Sequence, residues 1–294
     1  MVDLAAAYAS CARDAHGHYE NFPVASLLIP RRMRHHVAAV YAFARAADDF
    51  ADEGTHGADE RHRLLDGWRC RLLQAADPGV APAPPAAGEP ANSAEIFTAL
   101  AATIRDANLP LPLFEDLLSA FRQDVSVTRY ATWPDLLDYC RRSANPIGRL
   151  VLRIAGYRSD RLDAWSDAVC TALQLTNFWQ DFAIDLSRGR IYLPQEVLRA
   201  HGAREEDLAG GGLNREWRAS LAAAVARTRA MFITGRPVAT AVRGRLRYEL
   251  RATWLGGMRI LARLEQSGFD ARQRPRLSAA DLPWFTWRML RWPA

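Results

Sequence analysis

The chain contains no lysine, so every basic side chain other than histidine is arginine. It has only four cysteines in 294 residues, Cys11, Cys70, Cys140 and Cys170, with no metal-binding spacing among them. That usage excludes a disulfide framework of the secreted kind and points to reduced thiols in a cytoplasm. No apolar run approaches the roughly 18 residues needed to cross a bilayer. The first residues, Met-Val-Asp-Leu-Ala-Ala-Ala-Tyr, lack the basic start and apolar core of a signal peptide. Sustained strand-type alternation is missing, as is any fixed-period repeat. The glycine run Ala209-Gly-Gly-Gly-Leu213 follows no strand, which removes it as a nucleotide-binding loop. The net charge is +5, but the arginines are scattered rather than striped and no nucleic-acid motif accompanies them.

What is present is helical. Ala, Leu and Arg dominate, and apolar residues recur at three and four spacings over Val37–Ala51, Leu136–Ile154, Trp165–Leu186, Trp217–Phe232 and Tyr248–Leu264. A hydrophobic fraction of 49% suits a real core. We expect one all-α domain over residues 1–294, with a proline-rich surface loop at 77–90 and an aromatic, basic tail at 281–294. In that tail, Trp284, Trp287 and Trp292 alternate with Arg288 and Arg291. The plain reading is a last helix packed on its own domain; the alternative is an element lying at a lipid interface.

Two acidic clusters stand about 130 residues apart. The first runs Tyr41-Ala-Phe-Ala-Arg45-Ala-Ala-Asp48-Asp49-Phe-Ala-Asp52, the second Gln174-Leu-Thr-Asn177-Phe-Trp-Gln-Asp181-Phe-Ala-Ile-Asp185. Residues four apart share a helix face, so Asp48 lies beside Asp52, and Asn177, Asp181 and Asp185 form a row. Such a pair alone is most often a solvated face. Both clusters, however, are embedded in apolar and aromatic residues, and buried carboxylates need partners. Oxygen donors of this kind suit Mg²⁺, which takes one or two carboxylates and completes its shell with water and phosphate oxygens. The two clusters read as metal-binding walls facing each other across a diphosphate. Asp49 points about 100° away from Asp48, which favours a supporting role. His16 and His18 are too close in sequence to share a helix face, and His35-His36 beside Arg31, Arg32 and Arg34 reads as a solvated helix start.

The ordered set Tyr41-x-x-x-Arg45-x-x-Asp48-Asp49-x-x-Asp52, Gln174-x-x-Asn177-x-x-x-Asp181-x-x-x-Asp185 and Gly189-Arg-Ile-Tyr-Leu-Pro194 resembles the squalene/phytoene synthase family, from about His18 to Leu264. The resemblance implies an isoprenoid-synthase helical bundle with a central cavity, three Mg²⁺ ions, and ionisation of an allylic or cyclopropylcarbinyl diphosphate. It implies metal binding at Asp48, Asp52, Asn177, Asp181 and Asp185, with Tyr41 counted among the catalytic residues. Substrate contacts fall to Arg45, Asn21, Phe22, Gln174, Arg190 and Tyr192, with Arg188 a further candidate. Within the family, Glu20-Asn21-Phe22-Pro23 and Tyr139-Cys140-Arg-Arg-Ser-Ala-Asn145-Pro146 look like the bacterial hydroxysqualene synthase branch. Condensing relatives usually carry a His-Ser-x-Ser-Phe stretch where this chain has His18-Tyr19-Glu20-Asn21-Phe22, and many carry arginine at Gln180. The branch implies presqualene diphosphate as substrate, water as the quench and no nicotinamide cofactor. Asn21, Asn145 or Gln180 could position that water, and Phe22, Tyr41, Phe43, Phe178, Trp179 and Phe182 could face a carbocation. The enzyme would be cytoplasmic, meeting the inner membrane face and the neighbouring squalene-pathway enzymes. Three alternatives stay open: a synthase joining two prenyl diphosphates, a class I terpene cyclase, and an assembly factor without catalysis.

Overall fold

The computed structural model describes residues 2–17, 28–77, 79, 84–210, 212–270 and 274–292. Among the described residues fourteen α-helices follow one another: α1 (Leu4–Gly17), α2 (Arg31–Asp52), α3 (Ala58–Ala76), α4 (Ser93–Ala107), α5 (Leu111–Asp124), α6 (Trp133–Ser143), α7 (Asn145–Ile154), α8 (Asp160–Gln180), α9 (Phe182–Ser187), α10 (Gln195–His201), α11 (Arg215–Gly235), α12 (Val238–Ala241), α13 (Gly244–Gln266) and α14 (Leu282–Leu290). Among the described residues there is no strand, only an isolated parallel bridge between Arg129 and Ile191. The fold is all-α, as the periodicity predicts.

The chain divides into two compact units, Met1–Ser126 with Pro146–Ser159, and Val127–Asn145 with Asp160–Ala294. In the first, α2 packs on α1, α3, α4 and α5. Met33, Val37, Val40, Phe43, Ala47 and Phe50 form the buried stripe of α2, recurring at three and four spacings. Phe43 is fully buried, with ring centroids 5.5 Å from Phe114 and 5.9 Å from Trp68. Trp68 in turn donates its indole N–H to the Phe43 carbonyl at 3.2 Å. Phe43 is therefore core of its own unit and not a free wall for a carbocation. The histidine pair also departs from expectation. His36 Nδ1 lies 3.0 Å from the Thr103 hydroxyl, and the Tyr8 ring packs edge-on against His35 at 4.6 Å. Burial lowers the pKa of both imidazoles, so the two histidines belong to a packed network, while Arg31 and Arg32 at the same helix start remain exposed.

In the second unit α8 is central, packing on α6, α11 and α13. Two glycines permit close approach. A Cβ on Gly235 would fall 2.6 Å from the Trp165 carbonyl oxygen, and one on Gly257 would fall 2.3 Å from the Phe232 ring. The expected helix Leu136–Ile154 is two helices, because the chain breaks at Ala144 before Asn145-Pro146. A Thr132–Asp135 capping box sets the start of α6.

Candidate active site

In the first unit, Tyr41, Arg45, Asp48 and Asp52 are spaced four, three and four along α2 and so share one face. Arg45 Nη2 contacts Asp49 Oδ1 at 2.6 Å, and its Nη1 lies 3.5 Å from Asp48 Oδ2. Burial alone would lower the Arg45 pKa, but Asp49 and Asp48 together raise it, so the guanidinium stays charged beside them. Half-burial also raises the Tyr41 phenol, with Arg45 pulling the other way. The closer partner of Arg45 is Asp49, which fits the supporting role its direction on the helix suggests. About two fifths of each carboxyl side chain, Asp48 and Asp49, remains open to solvent.

In the second unit the row Asn177, Asp181, Asp185 crosses a break. Helix α8 ends at Gln180, Asp181 (φ −99°, ψ 13°) precedes the first residue of α9, and the expected continuous helix Trp165–Leu186 is interrupted there. The row survives because the four-residue backbone bonds bridge the break: Asp181 N–H to Asn177 at 2.8 Å and Asp185 N–H to Asp181 at 2.9 Å. Asn177 Nδ2 donates to Asp181 Oδ2 at 2.9 Å. Gln174 lies one turn earlier on α8, half-buried.

After α9, Gly189 takes a left-handed conformation (φ 76°) that lets the chain reverse. The Arg190 N–H then returns to the Asp185 carbonyl at 2.8 Å, and the Ile191 N–H reaches Thr128 at 3.1 Å. This pins Arg190-Ile-Tyr-Leu-Pro194 next to Asp185. Tyr192 is buried and stacks on Phe178 with ring centroids 3.7 Å apart and planes 5° apart. Tyr130 and Tyr139 extend the aromatic group. Trp179 is fully buried and gives its indole N–H to Thr228 at 2.9 Å.

Two of the three amides considered for holding water have protein partners. Asn145 Oδ1 accepts from the Thr171 hydroxyl at 2.9 Å, and Gln180 Nε2 donates to the Pro275 carbonyl. Asn21 and Phe22, with Glu20 and His18, lie outside the described residues. One residue was not foreseen. Arg274 holds the Asp181 carboxylate through Nε and through Nη2, the latter 3.0 Å from Oδ2. It stands 93 residues from Asp181, so no helical spacing could connect them.

The donor set suits Mg²⁺. Among the described residues no group of three or more His, Cys, Asp or Glu side chains forms a candidate metal cage. The oxygens come as an Asp48/Asp52 pair and an Asn177/Asp181/Asp185 row, each short of a full shell. A hard cation that keeps water and takes phosphate oxygens matches such incomplete sets.

The all-α chain with its two oxygen-rich helical rows fits the fold of isoprenoid synthases. Residues 15–281 match the squalene/phytoene synthase family, and the chain belongs to it. It is 34% identical over 271 residues to a hydroxysqualene synthase of Sinorhizobium fredii, covering 92% of this chain and 87% of that one. A phytoene synthase of Thermus thermophilus is 32% identical over 256 residues, covering 86% of this chain and 81% of its own. Among solved structures, the squalene synthase HpnC from Alicyclobacillus acidocaldarius superposes with a TM-score of 0.80 at 40% identity, covering 90% of this chain and 95% of that one.

Proposed function

We propose that this enzyme converts presqualene diphosphate and water to hydroxysqualene and diphosphate, in bacterial squalene and hopanoid synthesis, as a Mg²⁺-dependent carbon–oxygen lyase. The observation that carries the choice is Gln180. Where many condensing relatives place an arginine, this chain has a neutral amide bonded to the Pro275 carbonyl. That removes a cation suited to a second diphosphate. The match to a hydroxysqualene synthase over 92% of the chain supports the same reading.

Asp48, Asp52, Asn177, Asp181 and Asp185 would hold the Mg²⁺, three ions by family resemblance. Bound there, Mg²⁺ supplies neutralisation of the charge on the departing diphosphate. The carbon–oxygen bond to diphosphate breaks heterolytically and the electron pair leaves with the phosphate oxygen. Arg45 and Arg190 meet the diphosphate as fixed cations. Gln174 and Tyr192 contribute polar contacts, and Tyr41 lies in the row with Arg45. Water then adds its oxygen to the rearranged cation and loses a proton to the released diphosphate or solvent. No hydride is consumed, so no nicotinamide is required. The setting is cytoplasmic, at the inner face of the membrane where a C30 alcohol partitions and neighbouring pathway enzymes work.

The test is incubation of the purified chain with Mg²⁺ and presqualene diphosphate in ¹⁸O-water, with mass spectrometry of the products. An ¹⁸O-labelled C30 alcohol is the expected result. The second reading, head-to-head condensation of two prenyl diphosphates, draws on the match to a phytoene synthase. Formation of a C30 diphosphate from farnesyl diphosphate, or of phytoene from geranylgeranyl diphosphate, would establish it instead.

A further inference from the structure

The family match ends at residue 281, and α14 begins at the next residue. Asp281 anchors its start: the carboxylate is almost fully buried and accepts from Arg259 at 2.9 Å and from Arg263 at 2.7 Å, both on α13. From there α14 runs antiparallel to α13. Trp284 sits under Arg259, the Met289 carbonyl accepts from Arg251, and Trp292 packs edge-on against Trp254 at 5.2 Å. One face of the helix is thus committed to its own unit.

The opposite face is not. Leu290 is 83% exposed, Leu282 62% and Trp287 49%, within a single nine-residue helix. Pro283, Trp287 and Leu290 fall at four and three spacings and make one outward stripe. Isolated exposed apolar residues are ordinary, whereas a grouped stripe marks an interaction surface. The arginines Arg288 and Arg291 flank it, their guanidinium carbons 5.3 and 5.5 Å from the Trp287 ring centroid.

Charge decides what this face fits. Residues 236–294 carry 12 arginines and 4 acidic residues, a net +8. The whole chain is 38 basic against 33 acidic, or +5, so residues 1–235 sum to −3. All of the net positive charge therefore lies in the segment that carries α14. Positive charge is crowded there: burial first, and then the neighbouring Arg247, hold the Arg251 guanidinium below its usual pKa range.

We propose that the outer face of α14, with Trp287 and Leu290 at its centre and Arg288 and Arg291 at its edge, docks on the headgroup layer of an anionic phospholipid bilayer. Tryptophan and leucine enter the boundary between headgroups and acyl chains, while arginine stays with the phosphates. The helix lies on the surface, being far too short to span it. The surface gives a physical means for the membrane contact in the functional reading above and rests on that reading for its purpose, not for its geometry.

The experiment is co-sedimentation of the full chain with phosphatidylcholine vesicles, with and without phosphatidylglycerol. Binding should require the anionic lipid and weaken with salt. Trp287→Ser/Leu290→Ser should lower partitioning about tenfold or more. Arg288→Gln/Arg291→Gln should lower it by about tenfold on anionic vesicles. Both pairs replace solvent-facing side chains, and unchanged circular dichroism would verify folding. Turnover of presqualene diphosphate in detergent should be equal in the parent chain and both variants. No binding to anionic vesicles, binding indifferent to both pairs, or a dimer that Trp287→Ser/Leu290→Ser dissolves in place of vesicle binding would overturn the surface. Vesicle binding that obeys these rules in a chain without turnover would instead sink the functional reading and leave the surface standing.

Discussion

Arg274 and Asp181 form an ion pair in which one guanidinium engages both oxygens of a carboxylate expected to hold metal. Asn177 adds a third N–H to the same group. The pair is mostly buried, with 22% of the arginine side chain and 14% of the aspartate exposed. A guanidinium bound to both oxygens takes up lone pairs and places positive charge where a divalent cation would bind. Mg²⁺ arriving without diphosphate must therefore compete with Arg274. We expect Arg274→Gln to bind Mg²⁺ alone about tenfold more tightly, within the range of pairwise coupling energies for contacting residues. Calorimetric titration of both chains checks this. Equal affinities would show that Arg274 offers no competition.

The face of α2 makes a second comparison possible within one helix turn. Asp48 lies in the row with Tyr41, Arg45 and Asp52, whereas Asp49 is the near partner of Arg45. Asp48→Asn should lower kcat by about 10²-fold or more, the scale for losing one stabilising group at a developing charge. Asp49→Asn should cost less, since it weakens the placement of Arg45 and leaves the donor row intact. Both carboxylates are part-exposed, so neither change should unfold the chain. Steady-state rates at saturating Mg²⁺ decide the matter, and equal losses would erase the distinction between ligand and support.

The long helices α2, α8, α11 and α13 and both acidic rows were legible in the sequence because each repeats at the helical period, whereas α1, α3, α4 and α5 were covered only by the general helical composition. Two of the helix breaks were harder. That at Ala144 had a signal, since Pro146 lacks the N–H that a continuous helix would need and its ring would clash with the Arg142 carbonyl one turn back. That at Asp181 had none, because the break keeps the four-residue hydrogen bonds on either side. Contacts distant in sequence were invisible: Arg274 meets Asp181 over 93 residues, and Thr103 turns His36 from a surface residue into a bonded one. Phe43 illustrates a different limit. An aromatic residue beside a carboxylate on a helix can face a cavity or the core, and only packing against Trp68 and Phe114 assigns it to the core.

Asp281 should give the fold an acid-sensitive joint. Its carboxyl pKa is well below the ordinary value, first through the Ser278 N–H and then through Arg259 and Arg263. A depressed carboxyl pKa stabilises the folded state above the unfolded value, about 3.9. That contribution is lost as pH falls from there toward the folded pKa. Asp281→Asn should therefore be less stable than the parent near neutrality, and the gap should narrow below about pH 4. Urea midpoints across that range test it; a gap that widens on acidification would reverse the assignment.

The cysteines should react in an order set by burial. Cys11 and Cys140 are fully buried while Cys70 is exposed. Burial pushes the Cys11 thiol up to about 12 and raises Cys140 as well, so neither supplies thiolate near neutrality. Iodoacetamide on the native chain should alkylate Cys70 and spare Cys11 and Cys140 until guanidinium unfolds the protein. Peptide mass mapping reads the sites. Native labelling of Cys11 or Cys140 at the rate of Cys70 would contradict the packing of α1 and α6.

The buried ion pair Arg71–Glu89 ties α3 to the segment ahead of α4. Its side chains are only 8% and 4% exposed. Glu89 also accepts from the Ala86 N–H at 2.9 Å and the Ser93 hydroxyl at 3.3 Å, while Arg71 donates to the Pro84 carbonyl at 3.1 Å and lies over the Phe97 ring. Removing one partner leaves a charge buried and unpaired, which costs roughly 3–5 kcal/mol. Arg71→Met should lose about that much. Arg71→Met/Glu89→Gln should recover part of it, because no bare carboxylate then remains and the amide oxygen still accepts from Ala86 and Ser93. Urea unfolding of the three chains at neutral pH gives the comparison. A double variant no better than Arg71→Met would mean that the cost lies in the lost arginine packing on Phe97 and not in the stranded charge.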